Sequence, residues 1–241
     1  MTVRRGRGAA IWLKGTAAAA TLLLAACGGS TSPSAHSSAP DPATVLRQAS
    51  QAMAAVSSAH FSIQITGHSV GSLNIKAADG VLARGGGAMA TVKVSLLGNL
   101  VSEQVVELGG KVYLKGPTGG YQSEDAANLY DVSQLLDPTN GLAGTLGQAT
   151  DGTAVSSESV SSTPAYKLTA RVPTTILKGL ADLAPGQDTV VGTLWVAQSG
   201  SRLLKAIIPF KVQGATTNTV VTAELSDFDL PVSITTPSTS S

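Results

Sequence analysis

Cys27 is the residue whose type and setting specify one definite reaction. It is the chain's single cysteine and closes the run Leu24-Ala25-Ala26-Cys27-Gly28. Small residues ahead of a cysteine fit the narrow subsite of a lipoprotein signal peptidase, and the thiol supplies the atom that takes a diacylglyceryl group. Cys27 is therefore the expected lipidation site. With one cysteine there is no internal disulfide and no thiolate metal cluster.

The other chemically able residues do not combine. His36 lies in a Gly/Ser/Pro-rich stretch, and His60 and His68 stand eight apart. On a strand that spacing puts them on one side but about 26 Å apart, too far to share a metal, so all three are expected to be solvated. Glu103 and Glu107 share a strand face, the arrangement a glycosidase would use. Neither is set in an obviously apolar pocket, so a solvated outer face is expected for both. Gly85-Gly86-Gly87 joins strand to strand without a helix behind it and reads as a turn rather than a phosphate cradle. His-Glu-x-x-His and P-loop patterns do not occur, and the one Gly-x-Ser-x-Gly run, Gly67-His68-Ser69-Val70-Gly71, lies in a turn between two period-two runs with no helix pattern behind it, unlike a nucleophile elbow. Trp195 reads as an anchor in the sheet. No catalytic residue, metal or cofactor is expected, and the chain is not read as an enzyme.

The elements around Cys27 fit export. Arg4, Arg5, Arg7 and Lys14 form a basic head, and Gly15 to Ala26 is an uncharged apolar run, too short to span a bilayer as a stable helix. Residues 1–26 are read as a lipoprotein signal peptide. Their removal leaves 215 residues with 12 basic and 15 acidic side chains, a net charge of −3, which argues against a nucleic-acid partner. Residues 27–40 are read as the lipidated cysteine and a flexible tether, residues 41–234 as one domain, and residues 235–241 as a disordered tail.

The domain opens with a predicted helix. Asp41 suits its cap and Pro42 its first position, and Val45, Ala49, Met53 and Val56 make one apolar stripe. The period then changes to two, at Phe61–Ile65, Leu73–Ala77 and Ala90–Leu96, with turns at Gly67–Gly71, Asp79-Gly80 and Gly98-Asn99. Further strands are predicted at Val101–Leu108, Lys111–Leu114, Ala165–Val172, Thr189–Ala197, Leu203–Val212 and Val220–Phe228, a meandering antiparallel sheet with one apolar face. Helical signals interrupt it twice. The first lies within Asp125–Ala149, around Leu129, Val132, Leu135, Leu136, Leu142 and Leu146, with a break at Asp137-Pro138. The second is Thr174–Leu183. Their apolar stripes need a partner, and the sheet's apolar face is available. The fold class is α+β, a curved sheet with helices over its concave side.

The run Ala127-Asn128-Leu129-Tyr130-Asp131-Val132-Ser133-Gln134-Leu135-Leu136-Asp137-Pro138-Thr139-Asn140-Gly141-Leu142-Ala143 resembles a segment of the mycobacterial LppX/LprAFG lipoproteins. Ser58-Ala59-His60-Phe61, Thr193-Leu194-Trp195-Val196 and the closing strand Thr222 to Phe228 match in order, so the resemblance covers the whole domain, closest to the LprA, LprF and LprG branch. The chain departs from it at Asp227-Phe228-Asp229, where relatives place a tryptophan-glycine pair. The resemblance implies a half-barrel whose apolar cavity takes acyl chains of envelope lipids and lipoglycans, and a role in carrying them away from the cytoplasmic membrane.

The residues are able to meet that requirement. Exposing one methylene costs roughly 0.8 kcal/mol, so a chain of about sixteen carbons needs shelter worth on the order of 10 kcal/mol. Val94, Leu96, Val105 and Val112 are the candidate sheet wall, and Leu135, Leu142, Leu146, Ile176 and Leu180 the candidate lid. Gly141, Ala143, Gly144 and Gly147 would leave volume between the walls and let the lid move. The alternative is that all of these fill an ordinary core. The expected partners are an acylated lipid or lipoglycan, the cytoplasmic membrane through Cys27, and a membrane lipid exporter. The competing reading is a scaffold lipoprotein that docks to a transporter or envelope complex and carries no lipid.

Overall fold

The computed structural model describes residues 39–68, 74–115, 119–125 and 132–238. Helix α1 (Pro42–Ala55) starts where Asp41 Oδ2 accepts a hydrogen bond from the Thr44 N–H at 2.9 Å, satisfying one of the free first-turn amides. Val45, Ala49 and Met53 are buried along it as their spacing predicts, with Leu46 beside them. Val56 leaves the helix in extended backbone and its N–H closes on the Met53 carbonyl.

Among the described residues eleven strands follow: β1 (Ser58–Thr66), β2 (Ile75–Ala83), β3 (Gly87–Leu96), β4 (Asn99–Leu108), β5 (Lys111–Lys115), β6 (Tyr121–Asp125), β7 (Thr150–Val160), β8 (Thr163–Pro173), β9 (Thr189–Ala197), β10 (Leu203–Phe210) and β11 (Thr219–Ser226). They form one curved, open antiparallel sheet in the order β6-β5-β4-β3-β2-β1-β11-β10-β9-β8-β7. The first and last strands meet at its centre, where Phe61 stands opposite Leu225 on one side and Gly80 on the other. A 3₁₀ turn (Val132–Leu136) and the short helices α2 (Leu142–Gly147) and α3 (Thr175–Leu180) are the other elements among the described residues.

Three local expectations are corrected. Asp79-Gly80 is not a turn: β2 runs through it to Ala83. A Cβ on Gly80 would fall 2.2 Å from the Met89 carbonyl oxygen, so the glycine serves close approach of β3. The β3–β4 hairpin turns on Leu97-Gly98, one residue earlier than expected, with Leu96 opposite Asn99. Strands β6 and β7 were not anticipated. They are the two edges of the sheet, and both are largely polar and exposed, so they carry no apolar alternation to read.

The core lies between the sheet and α1. Val45, Met53, Phe61, Leu82, Leu168 and Leu194 are almost wholly buried in one contiguous cluster, and Leu136, Ala143, Leu146 and Leu177 of the helical insertions join it. Helix α1 packs on α2 and β7, and the 3₁₀ turn packs on β2 and β3. The described residues form one compact unit.

Candidate functional site

The concave face divides by what covers it. Over β7–β11 and β1, α1 and α2 seal the apolar face into the core cluster. Among the described residues that cluster takes none from β4, β5 or β6. The wing of the sheet made by β3–β5 continues the same face. Cross-strand register lines up Ala90, Val105 and Leu114, then Ala88, Glu107 and Val112, while Val94 stands opposite Val101. Val94, Val101, Val105 and Leu114 are half-buried and Val112 is buried. The result is an apolar strip beside a sealed core.

Glu107 corrects a sequence expectation. It is 6% exposed rather than solvated on an outer face, and its row mates Ala88 and Val112 are buried too. Its Oε2 accepts a hydrogen bond from the Val132 N–H at 2.9 Å, so a carboxylate meets the first amide of the 3₁₀ turn, where backbone donors have no partner within the helix. Four positions away on the same face, Glu103 remains half-buried. The signal available in the sequence was parity: Glu103 and Glu107 share it with Val101 and Val105, so all four had to face one way.

The lid residues lie as follows. Leu135 and Leu142 are half-buried against the core, and Leu146 is buried in it. Ile176 and Leu180 are half-buried on α3, whose Leu177 is the residue that enters the core. Leu96 stands at the end of the hairpin and is 60% exposed. Residues 126–131, with Leu129 and Tyr130, lie outside the described residues, as do the signal segment and Cys27.

The small lid residues do a different job from the one expected. A Cβ on Gly144 would fall 1.7 Å from the Thr139 carbonyl oxygen, and one on Gly141 would fall 2.5 Å from those of Gln134 and Leu135. These glycines let the 138–140 turn fold flat against α2 and leave no room there. The turn itself is held by Asp137, whose Oδ1 accepts from the Asn140 N–H at 2.6 Å and the Thr139 N–H at 2.9 Å. Those two backbone donors keep its carboxyl below the usual range.

Other polar clusters have structural roles. Between α3 and β9 an open depression of about 320 Å³ is lined mainly by polar groups, among them Lys178, Asp182, Gln187, Asp188 and Gln213. It is too polar for an acyl chain. His60 is half-buried rather than free in solvent, with Nε2 3.2 Å from Asp79 Oδ1. Among the described residues no group of His, Cys, Asp and Glu is arranged to hold a metal. On the convex face Trp195 packs with Ala165, Ala197 and Leu204. Its Nε1–H donates to Glu158 Oε2 at 2.9 Å, and Lys167 and Lys205 place their ammonium groups 5.3 and 5.7 Å from the ring centre. In the Asp227-Phe228-Asp229 run, Asp229 Oδ1 accepts from the Ser57 N–H at 2.8 Å and Asp229 pairs with Arg202, tying the end of β11 to the start of β1.

Comparison with known proteins agrees with this architecture. Residues 41–234 match the family model for the LppX_LprAFG lipoprotein. The chain is 31% identical over 230 residues to the lipoarabinomannan carrier protein LprG of Mycolicibacterium hassiacum, covering 90% of this chain and 93% of that one. It is 31% identical over 205 residues to lipoprotein LprA of Mycobacterium tuberculosis, covering 82% of each. In fold it is similar to the crystal structures of LprF from Mycobacterium bovis (TM-score 0.69, 21% identity, 83% of this chain and 99% of that one) and of Mycobacterium tuberculosis LppX (TM-score 0.59, 20% identity, 81% and 100%). With its open curved sheet, its capped insertion at 132–147 and the match across its whole domain, the chain belongs to the LppX_LprAFG lipoprotein family.

Proposed function

We propose that the chain is a membrane-anchored extracytoplasmic lipoprotein that binds acylated envelope lipids or lipoglycans on its concave face and helps move them across the cell envelope. The observation that carries this reading is the apolar strip of Val94, Val101, Val105 and Leu114, half-buried beside a sealed core. Acyl chains partition onto the strip because each methylene removed from water is worth roughly 0.8 kcal/mol, while a polar headgroup stays at the open side. The carrier named among the relatives is consistent with such a ligand. The work is non-enzymatic: binding and release need no bond to be made or broken. Diacylglyceryl attachment at Cys27 holds the domain to the membrane, stably when two or more acyl chains are present.

The test is native mass spectrometry of the chain from residue 27 with Cys27→Ser, purified from a lipid-rich host, beside the same chain with Val105→Trp. Co-purifying lipid that is lost on filling the strip supports the carrier. A folded chain that carries no lipid sinks it and leaves the scaffold reading.

A further inference from the structure

The tip of the β3–β4 hairpin is a poor solution for a domain surrounded by water. Leu97 is 95% exposed, and Leu96 and Leu100 beside it are 60% and 66% exposed. The turn is a two-residue one in which both central residues, Leu97 and Gly98, have positive φ, 51° and 82°. Asn-Gly or Gly-Gly is the usual solution, because a side chain branched away from the backbone is strained there. Asn99 stands one position too late to serve. The tip therefore combines backbone strain with three exposed leucines.

Two observations indicate what covers it. The first is where the chain enters the domain. Every neighbouring pair of strands is antiparallel, so the β3–β4 turn and the start of β7 lie along the same end of the sheet. Pro42 sits at that start, 2.7 Å from where a Cβ on Gly152 would be. Eleven residues, 28–38, separate Cys27 from the described chain, a length that a flexible linker would span with a reach of about 20 Å. The second is charge. Lys76 and Lys93 stand near this end of β2 and β3, Lys93 four residues or about 13 Å from the tip, while Lys115, with Tyr121 at 5.8 Å, lies further along in the row of Gln104 and Asp79, whose carboxylate pairs with His60. Exposed leucines with Lys76 and Lys93 set back along the strands match an anionic bilayer surface, where apolar tips enter the acyl boundary and cations meet the headgroups above it.

We propose that the Leu96-Leu97-Gly98-Asn99-Leu100 hairpin tip docks into the surface of the anchoring membrane and brings the open wing of the sheet against the lipid. The proposal rests on the preceding reading only for the anchor at Cys27. The leucine tip itself is tested without that anchor.

The chain from residue 27 with Cys27→Ser contains every described element and bears no acyl group. In it, Leu97→Cys and, at the opposite end of the sheet, Ser161→Cys each give a single site for an environment-sensitive fluorophore. With vesicles of phosphatidylglycerol and phosphatidylcholine, the label at 97 is expected to move into an apolar environment and the label at 161 to stay in water. Leu97→Asp with Leu100→Asp is expected to weaken vesicle association roughly tenfold or more. Leu97→Asn is the discriminating variant: it is expected to weaken association while leaving Tm unchanged or raised, since asparagine suits the turn. Equal responses at 97 and 161, or a Tm lowered by Leu97→Asn, would overturn the proposal. Native mass spectrometry of the same preparations reads the carrier function separately, so lipid retained by a chain whose tip stays dry sinks this inference alone.

Discussion

Replacing Glu107 by leucine should open the lid more than it unfolds the domain. The side chain is 6% exposed and its Oε2 accepts the Val132 N–H at 2.9 Å, the first amide of the 3₁₀ turn. Leucine is similar in size and suits a face shared with Ala88 and Val112, so packing alone predicts little loss. The hydrogen bond predicts otherwise, because the carboxylate goes while the backbone donor stays near the core. Leaving such a donor without its partner costs about 1–3 kcal/mol. Amide exchange at Val132 and through the turn should then accelerate by roughly five- to 150-fold. Tm should fall by about 2–4 °C for each kcal/mol that reaches global unfolding. Glu107→Gln retains an acceptor oxygen and should stay near the parent. Hydrogen exchange read by mass spectrometry on peptides spanning 132–147 measures both variants. Protection unchanged in a folded Glu107→Leu chain, or equal loss in both variants, would refute the latch. If the latch also gates ligand, Glu107→Leu should release bound lipid faster.

Acid should weaken the domain through its capped carboxylates. Backbone donors hold Asp137 (Asn140, then Thr139) and Asp229 (Ser57) below the usual range. Carboxyls depressed in the folded state contribute stability above their unfolded pKa and lose it as pH falls through the folded value. Denaturant midpoints should therefore be flat near neutrality and decline below about pH 4, and Asp137→Asn with Asp229→Asn should shallow that decline. Gly144→Ala should destabilise strongly despite the small change, since the methyl meets the Thr139 carbonyl at 1.7 Å and backbone must move; a neutral Tm would refute the packing argument. Met53→Ala, at a side chain 1% exposed, should cost about 2–5 kcal/mol in urea unfolding. Trp195→Phe should cost about 1 kcal/mol, lost with the Glu158 hydrogen bond, and should leave lipid retention intact.

Much of the fold was legible because it is written in local periods. Asp41-Pro42 starts α1, and Val45, Ala49 and Met53 are buried as a 3.6-residue period requires. Phe61, Leu82, Leu168 and Leu194 lie on predicted or adjoining alternations and form the core. The site was legible in part. Val105 and Val112 do stand in adjacent rows of one concave wing, and Leu135, Leu142 and Leu146 do pack from the insertion. Leu96 belongs instead to an exposed tip, and the lid glycines to close backbone contact.

The sequence by itself determined the class of fold, the apolar face of each central strand and helix, and the motif at Cys27, because each depends on neighbours a few residues apart. Tertiary structure decided the rest. It set β1 against β11 at the centre of the sheet, across 150 or so residues of chain. It made polar β6 and β7 into edges, turned Asp79-Gly80 from a bend into a strand beneath β3, and buried Glu107 under an amide 25 residues away. A carboxylate is stable in such a place only when a donor arrives from elsewhere, and no local period records where that donor comes from.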